Sequence, residues 1–175
     1  MRWVALLRAV NLGARNKVPM AELRARLEEA GYEGVRTYIA SGNVLLDGPR
    51  GRAAVAGKLE RLIADSFGVD TTAIMRTPKE LAATVAGHPF GRDTSQSHVV
   101  FLAAEPDREG TERLAALDAS PDKAVLAGAD VYLHYAAGVQ GSRLSAARLE
   151  RLLKVRATHR NWRTVATLVE LAAEA

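Results

Sequence analysis

Short apolar runs alternate along this chain with stretches whose apolar residues recur at helical spacing. Val4-Ala5-Leu6-Leu7 reads as a buried strand within Arg2 to Arg8. From about Pro19 to Ala30, Met20, Leu23, Leu27 and Ala30 form one helical stripe, with Arg24, Arg26, Glu28 and Glu29 mostly off it. Pro19 suits a first helical turn, and Gly31 is a C-terminal cap signal. Val35 to Ala40 and Val44 to Asp47 are predicted strands around Ser41-Gly42-Asn43, a tight hairpin signal. A helix from about Arg52 to Phe67 buries Val55, Leu59, Leu62 and Ile63 and closes at Gly68, and Thr71 to Arg76 is a fourth strand. The order is βαββαβ.

The second half reads as a second βαββα. Thr77-Pro78 starts a short helix, and Gly87 to Ser97 is a polar loop. Strands are predicted over Val99 to Ala103, Lys123 to Ala127 and Val131 to Tyr135, with helices over Glu109 to Leu117 and Leu144 to Leu153. Lys58-Leu59-Glu60-Arg61-Leu62 answers Arg148-Leu149-Glu150-Arg151-Leu152 in the same element order, which supports a duplication. Val155 to Thr164 leads into a final helix with Asn161 as N-cap and Trp162, Val165, Leu168, Val169 and Ala172 as its buried stripe. The expected fold is α+β: two tandem ferredoxin-like halves of βαββαβ type, mainly antiparallel, with a C-terminal helix. The expected division is residues 1–86 and 98–175, joined by a loop over 87–97.

Composition narrows the class. Of 175 residues 48% are apolar and 25% charged, as in a soluble globular protein, and the 5% aromatic content makes the core aliphatic. There is no Cys, which excludes disulfides, thiolate metal sites and a cysteine nucleophile. No apolar stretch approaches the ~20 residues of a membrane span, and the N-terminus lacks a signal-peptide pattern. A cytoplasmic protein without a membrane partner is expected. The net charge of +4 permits a phosphate-bearing partner without requiring one. Oligomeric state is not legible.

One stretch exceeds what a strand-to-helix connection needs. Arg8 to Lys17 holds Arg8, Asn11, Gly13, Arg15, Asn16 and Lys17 between the first strand and the first helix. A right-handed crossover makes the first two strands parallel, so this loop and the turn Ser41-Gly42-Asn43 leave the sheet at one edge. The helix start there favours an anion, the cations add charge, Gly13 and Gly42 allow close backbone approach, and Asn11, Asn16, Ser41 and Asn43 supply donors and acceptors. The matching places in the second half, Ala103-Ala104-Glu105-Pro106-Asp107 and Gly128-Ala129-Asp130, are apolar or acidic. Asn and Gly also populate turns for conformational reasons alone. The expectation is a site for a small anionic or phosphate-bearing ligand. Arg160-Asn161-Trp162 is a further candidate, as an anion contact or as a capped helix start with Trp packed beneath it.

Two other classes stay open. Arg143, Arg148, Arg151, Lys154, Arg156, Arg160 and Arg163 crowd the C-terminal segment, which fits a nucleic-acid surface or a solvated helix face. RNA-recognition aromatics are absent from the strands. An enzyme of unknown reaction is the third reading, with no catalytic residue assignable: the nucleotide-binding glycine motifs, His-Glu-x-x-His and the Gly-x-Ser-x-Gly elbow are all missing. His88, His98, His134 and His159 lack ligand spacing, so neither metal nor cofactor is expected.

Four blocks in order carry a resemblance: Leu7 to Gly13; Asn16 to Met20 with Leu23; Thr37 to Val44; and Thr158 to Val165. Together they resemble the bacterial family called domain of unknown function 1697. The resemblance implies two ferredoxin-like subdomains in tandem and no known activity. Members often carry Gly after the Arg of the first block and a second Thr in the last; here those places hold Ala9 and His159.

Overall fold

The computed structural model describes residues 1–174. Strands β1 (Arg2–Leu7), β2 (Glu33–Tyr38), β3 (Asn43–Asp47) and β4 (Ala73–Arg76) alternate with helices α1 (Met20–Glu29), after β1, and α2 (Arg52–Phe67), after β3. They form a sheet in the order β2-β3-β1-β4, antiparallel throughout. β1 and β2 both oppose β3, so they point the same way and end at one edge. Trp3, Ala5, Leu7, Val44, Leu46 and Met75 face the helices and pack with Leu23, Leu27, Leu59 and Ile63. The other face, with Val4, Leu6, Leu45 and Ile74, is also buried. Burial on both faces is why β1 and the heart of β3 read as unbroken apolar runs rather than alternating ones.

The pattern recurs after α3 (Pro78–Ala86). β5 (Ser97–Leu102), α4 (Arg108–Ala115), β6 (Lys123–Ala127), β7 (Asp130–His134), α5 (Ala146–Leu153) and β8 (Ala157–Asn161) follow, then α6 (Trp162–Ala173). The sheet order is β6-β7-β5-β8, again antiparallel. The chain is thus two tandem ferredoxin-like halves with a C-terminal helix.

β8 is the element that hydrophobic patterning does not find. Ala157-Thr158-His159-Arg160-Asn161 carries one aliphatic residue, yet it pairs with β5 along its length. Thr158 and Arg160 are buried polar residues on one face. The expected helix cap is present beside it: Asn161 Oδ1 accepts the Thr164 N–H at 2.8 Å at the start of α6.

The chain divides into two compact units, residues 1–82 with the C-terminal part from Leu168 onward, and Ala83–Thr167. Both divisions fall inside helices, so the 87–97 loop expected to connect the halves lies within the second unit. Local bonds explain its place: Thr84 Oγ1 donates to Asp130 Oδ2 at 2.6 Å, Tyr132 donates to the Thr84 carbonyl at 2.7 Å, and His88 Nε2 lies 2.8 Å from Ser97 Oγ.

Candidate functional site

Arg8 to Lys17 folds on itself before α1 begins. Leu12 and Arg15 form an isolated antiparallel bridge, and the Asn11 N–H donates to the Asn16 carbonyl at 2.8 Å. Asn11, Gly13 and Asn16 take positive φ, which Gly adopts freely and Asn more readily than other side chains. Ala9 also sits at φ 56, a conformation that crowds its Cβ. A glycine would relax it.

Asn11 ties three segments together. Its Nδ2 donates to the carbonyls of Val18 at 3.0 Å and Ala40 at 2.7 Å, and its Oδ1 accepts the Val18 N–H at 2.8 Å. The loop, the approach to α1 and the turn after β2 are therefore joined, as the parallel directions of β1 and β2 require. Asn16 Nδ2 donates to the Ala9 carbonyl at 2.8 Å. Asn43 is fully buried, with Nδ2 donating to the Tyr38 carbonyl at 2.9 Å and to Ser41 Oγ at 3.1 Å. These amides shape the loops. Gly42 is a packing requirement too, since a Cβ there would lie 2.5 Å from Val10 Cγ2 and 2.8 Å from Leu7 Cβ.

The cations are placed differently from one another. The Arg8 backbone is pinned, its N–H donating to the Thr72 carbonyl at 3.0 Å and its carbonyl accepting Thr71 Oγ1 at 2.6 Å. Arg15 is exposed in the small hairpin. Lys17 lines an open groove of about 580 Å³ with Asn11, Arg24 and Thr37, beside Pro19, Met20, Ile39 and Ala40. Arg24 reaches across it and donates to Thr37 Oγ1 at 2.6 Å. Among the described residues no carboxylate lines this groove. The start of α1 beside it has no side-chain cap. Its counterpart α4 is closed by its own acid, Asp107 Oδ1 accepting the Gly110 N–H at 2.7 Å. Arg24 and Met20 were not singled out by sequence; their i, i+4 spacing just after the loop was the available signal.

Arg160, Asn161 and Trp162 belong to the second unit. Arg160 is 6% exposed and donates to Thr158 Oγ1 and to the His159 carbonyl, each at 2.8 Å. Burial lowers its pKa to about 10. Trp162 lies 4.4 Å, ring to ring, from His88. All four histidines gather in this unit, and His98 and His159 stack at 4.7 Å with 7° between planes. Burial pushes His98 down, and burial followed by the neighbouring His98 and Arg160 pushes His159 down to about 4. Ser97 sits 2.8 Å from His88 but is only 2% exposed, so the pair is an internal anchor. No three His, Asp or Glu side chains among the described residues are grouped to hold a metal, and no described helix is long and apolar enough to cross a membrane.

A family model described as protein of unknown function (DUF1697) matches residues 1–132. The chain belongs to the DUF1697 family. The match contains the opening loop, the hairpin turn and the whole groove, and stops before Arg160-Asn161-Trp162. Among solved structures, this DUF1697 chain is similar to conserved bacterial protein SP0830 from Streptococcus pneumoniae, at 25% identity and a TM-score of 0.77 over 98% of each chain. No curated protein matches the DUF1697 chain in sequence.

Proposed function

We propose that this DUF1697 protein binds a small anionic ligand in the groove at the shared edge of β1 and β2. One observation carries the reading: Lys17 and Arg24 share a groove without carboxylates beside a helix start that has no side-chain cap. Free N–H groups and the positive end of a helix favour an anion, and full charges add to that. The contrast with Asp107, which closes α4, supports it, because the duplicated fold does not demand an open helix start. Asn11, Asn16 and Asn43 hold the frame; Lys17, with Arg24, supplies the charge. Arg8, Arg15, Ser41 and the Arg160-Asn161-Trp162 segment have weaker claims.

The test is thermal unfolding with inorganic phosphate and AMP against chloride at matched ionic strength. Phosphate is expected to raise Tm for the native chain and for Arg151→Ala, and to leave Lys17→Ala unshifted. An equal shift in Lys17→Ala defeats the assignment.

Nucleic-acid binding remains the second reading, now confined to the C-terminal arginines. Both faces of the central strands are buried, so neither sheet offers an open platform for bases. Arg143, Arg151 and Arg163 are exposed. Lys154 and Arg156 lie beside Glu109 and Glu150, as solvated charges do.

A further inference from the structure

The lining of the groove says what kind of anion it suits. Lys17 and Arg24 occupy it together with Pro19, Met20, Ile39 and Ala40, so a charged region and an aliphatic one are continuous in a single groove. Ile39 is the informative member. It is 49% exposed and holds φ 52, where the branched Cβ of an isoleucine is crowded. A hairpin turn at positive φ is formed with less strain by Gly or Asn. Side-chain packing does not require isoleucine there either, because half of it faces solvent. An aliphatic group is therefore held, against its backbone preference, on the wall of a groove whose charges are positive.

No aromatic side chain lines the groove among the described residues, so a nucleobase has nothing to stack on. The volume, about 580 Å³, is within the range of small-ligand pockets. We propose that the groove takes a carboxylate with a short aliphatic body, the carboxylate meeting Lys17 and Arg24 and the chain lying on Met20 and Ile39. This rests on the anion-binding reading and narrows it from any small anion to an amphiphilic one.

The test is calorimetric titration of the full chain with acetate, octanoate, 1-octanol and inorganic phosphate. Burial of one methylene is worth about four-fold in affinity when complete, so octanoate is expected to bind more than ten-fold tighter than acetate even in an open groove. 1-Octanol, with the same carbon chain and no charge, is expected to bind at least ten-fold more weakly than octanoate. Ile39→Gly should remove at least five-fold of the octanoate affinity while leaving acetate unchanged. Relief of the positive-φ strain offsets part of the packing lost with the half-buried side chain, and a Tm measured on the variant checks that it is folded. Equal affinities for acetate and octanoate, or an octanoate advantage that survives Ile39→Gly, overturn the amphiphile assignment alone. Absence of any Lys17-dependent binding of phosphate, acetate or octanoate overturns the anion reading with it.

Discussion

Arg76 and Arg160 stand on the same rung of their two sheets. Arg76 on β4 lies opposite Val4, and Arg160 on β8 lies opposite Val99, while Ala73 and Ala157, three residues earlier in each strand, lie opposite Leu7 and Leu102. Both arginines are buried, at 5% and 6% exposure. The duplication thus preserves an internal guanidinium at the fourth position of each closing strand. Arg160→Ala would leave Thr158 Oγ1 and the His159 carbonyl without its donors, so a loss of roughly 2–4 kcal/mol is expected in urea unfolding. Arg160→Lys should restore less than half, because a single ammonium does not reproduce the planar fork. An alanine variant as stable as the native chain would show that the guanidinium has no structural weight.

Acid should weaken the second unit through the stacked pair His98 and His159. Burial holds His98 below its ordinary value and holds His159 at about 4, with His98 and Arg160 adding to the latter. The unfolded chain therefore takes up a proton near pH 6.5 that folded His159 refuses until about pH 4. Stability rises with pH across that window and falls as pH drops through it. The expected loss from His159 by pH 4 is roughly 3 kcal/mol, with His98 acting in the same direction. Equilibrium unfolding at several pH values, compared between the native chain and His159→Phe, should give a visibly flatter profile for the variant between pH 6.5 and 4.

Asn11 should matter more to stability than to ligand chemistry. Asn11→Ala removes its bonds to Val18 and Ala40 together, and a loss of about 2–3 kcal/mol is expected. Asn11→Asp keeps the acceptor for the Val18 N–H but sets an acceptor-only oxygen against two carbonyls, so it should be no better than alanine at pH 7. Thermal melts of both variants decide it. A native-like Tm for Asn11→Asp would remove Asn11 from the clamp.

Ala9→Gly should stabilise the protein by about 0.5–1 kcal/mol, because Gly tolerates the φ of 56 that strains Ala9. The gain is reduced by the larger entropy of the unfolded glycine chain. A chemical denaturation midpoint that falls instead would show that the Ala9 methyl contributes packing worth more than the strain.

The periodicity of the chain was enough to lay out most of the strands and helices in order, because those segments are held by ordinary apolar burial. The span of α2 from Arg52 to Phe67, with its Gly68 cap at φ 65, is readable directly. So is the convergence of the opening loop and the hairpin turn, which follows from crossover handedness alone. β8 was invisible because buried Thr158 and Arg160 look like surface residues until a neighbouring strand satisfies them. The asparagines of the loop read equally well as ligand donors or as turn residues, since composition does not reveal which carbonyl an amide meets. Only the folded chain brought Val18, Ala9 and Ala40 to those amides and set Lys17 and Arg24 on one groove. Local sequence determines what a residue can donate or bury; long-range packing decides what lies within 3 Å of it.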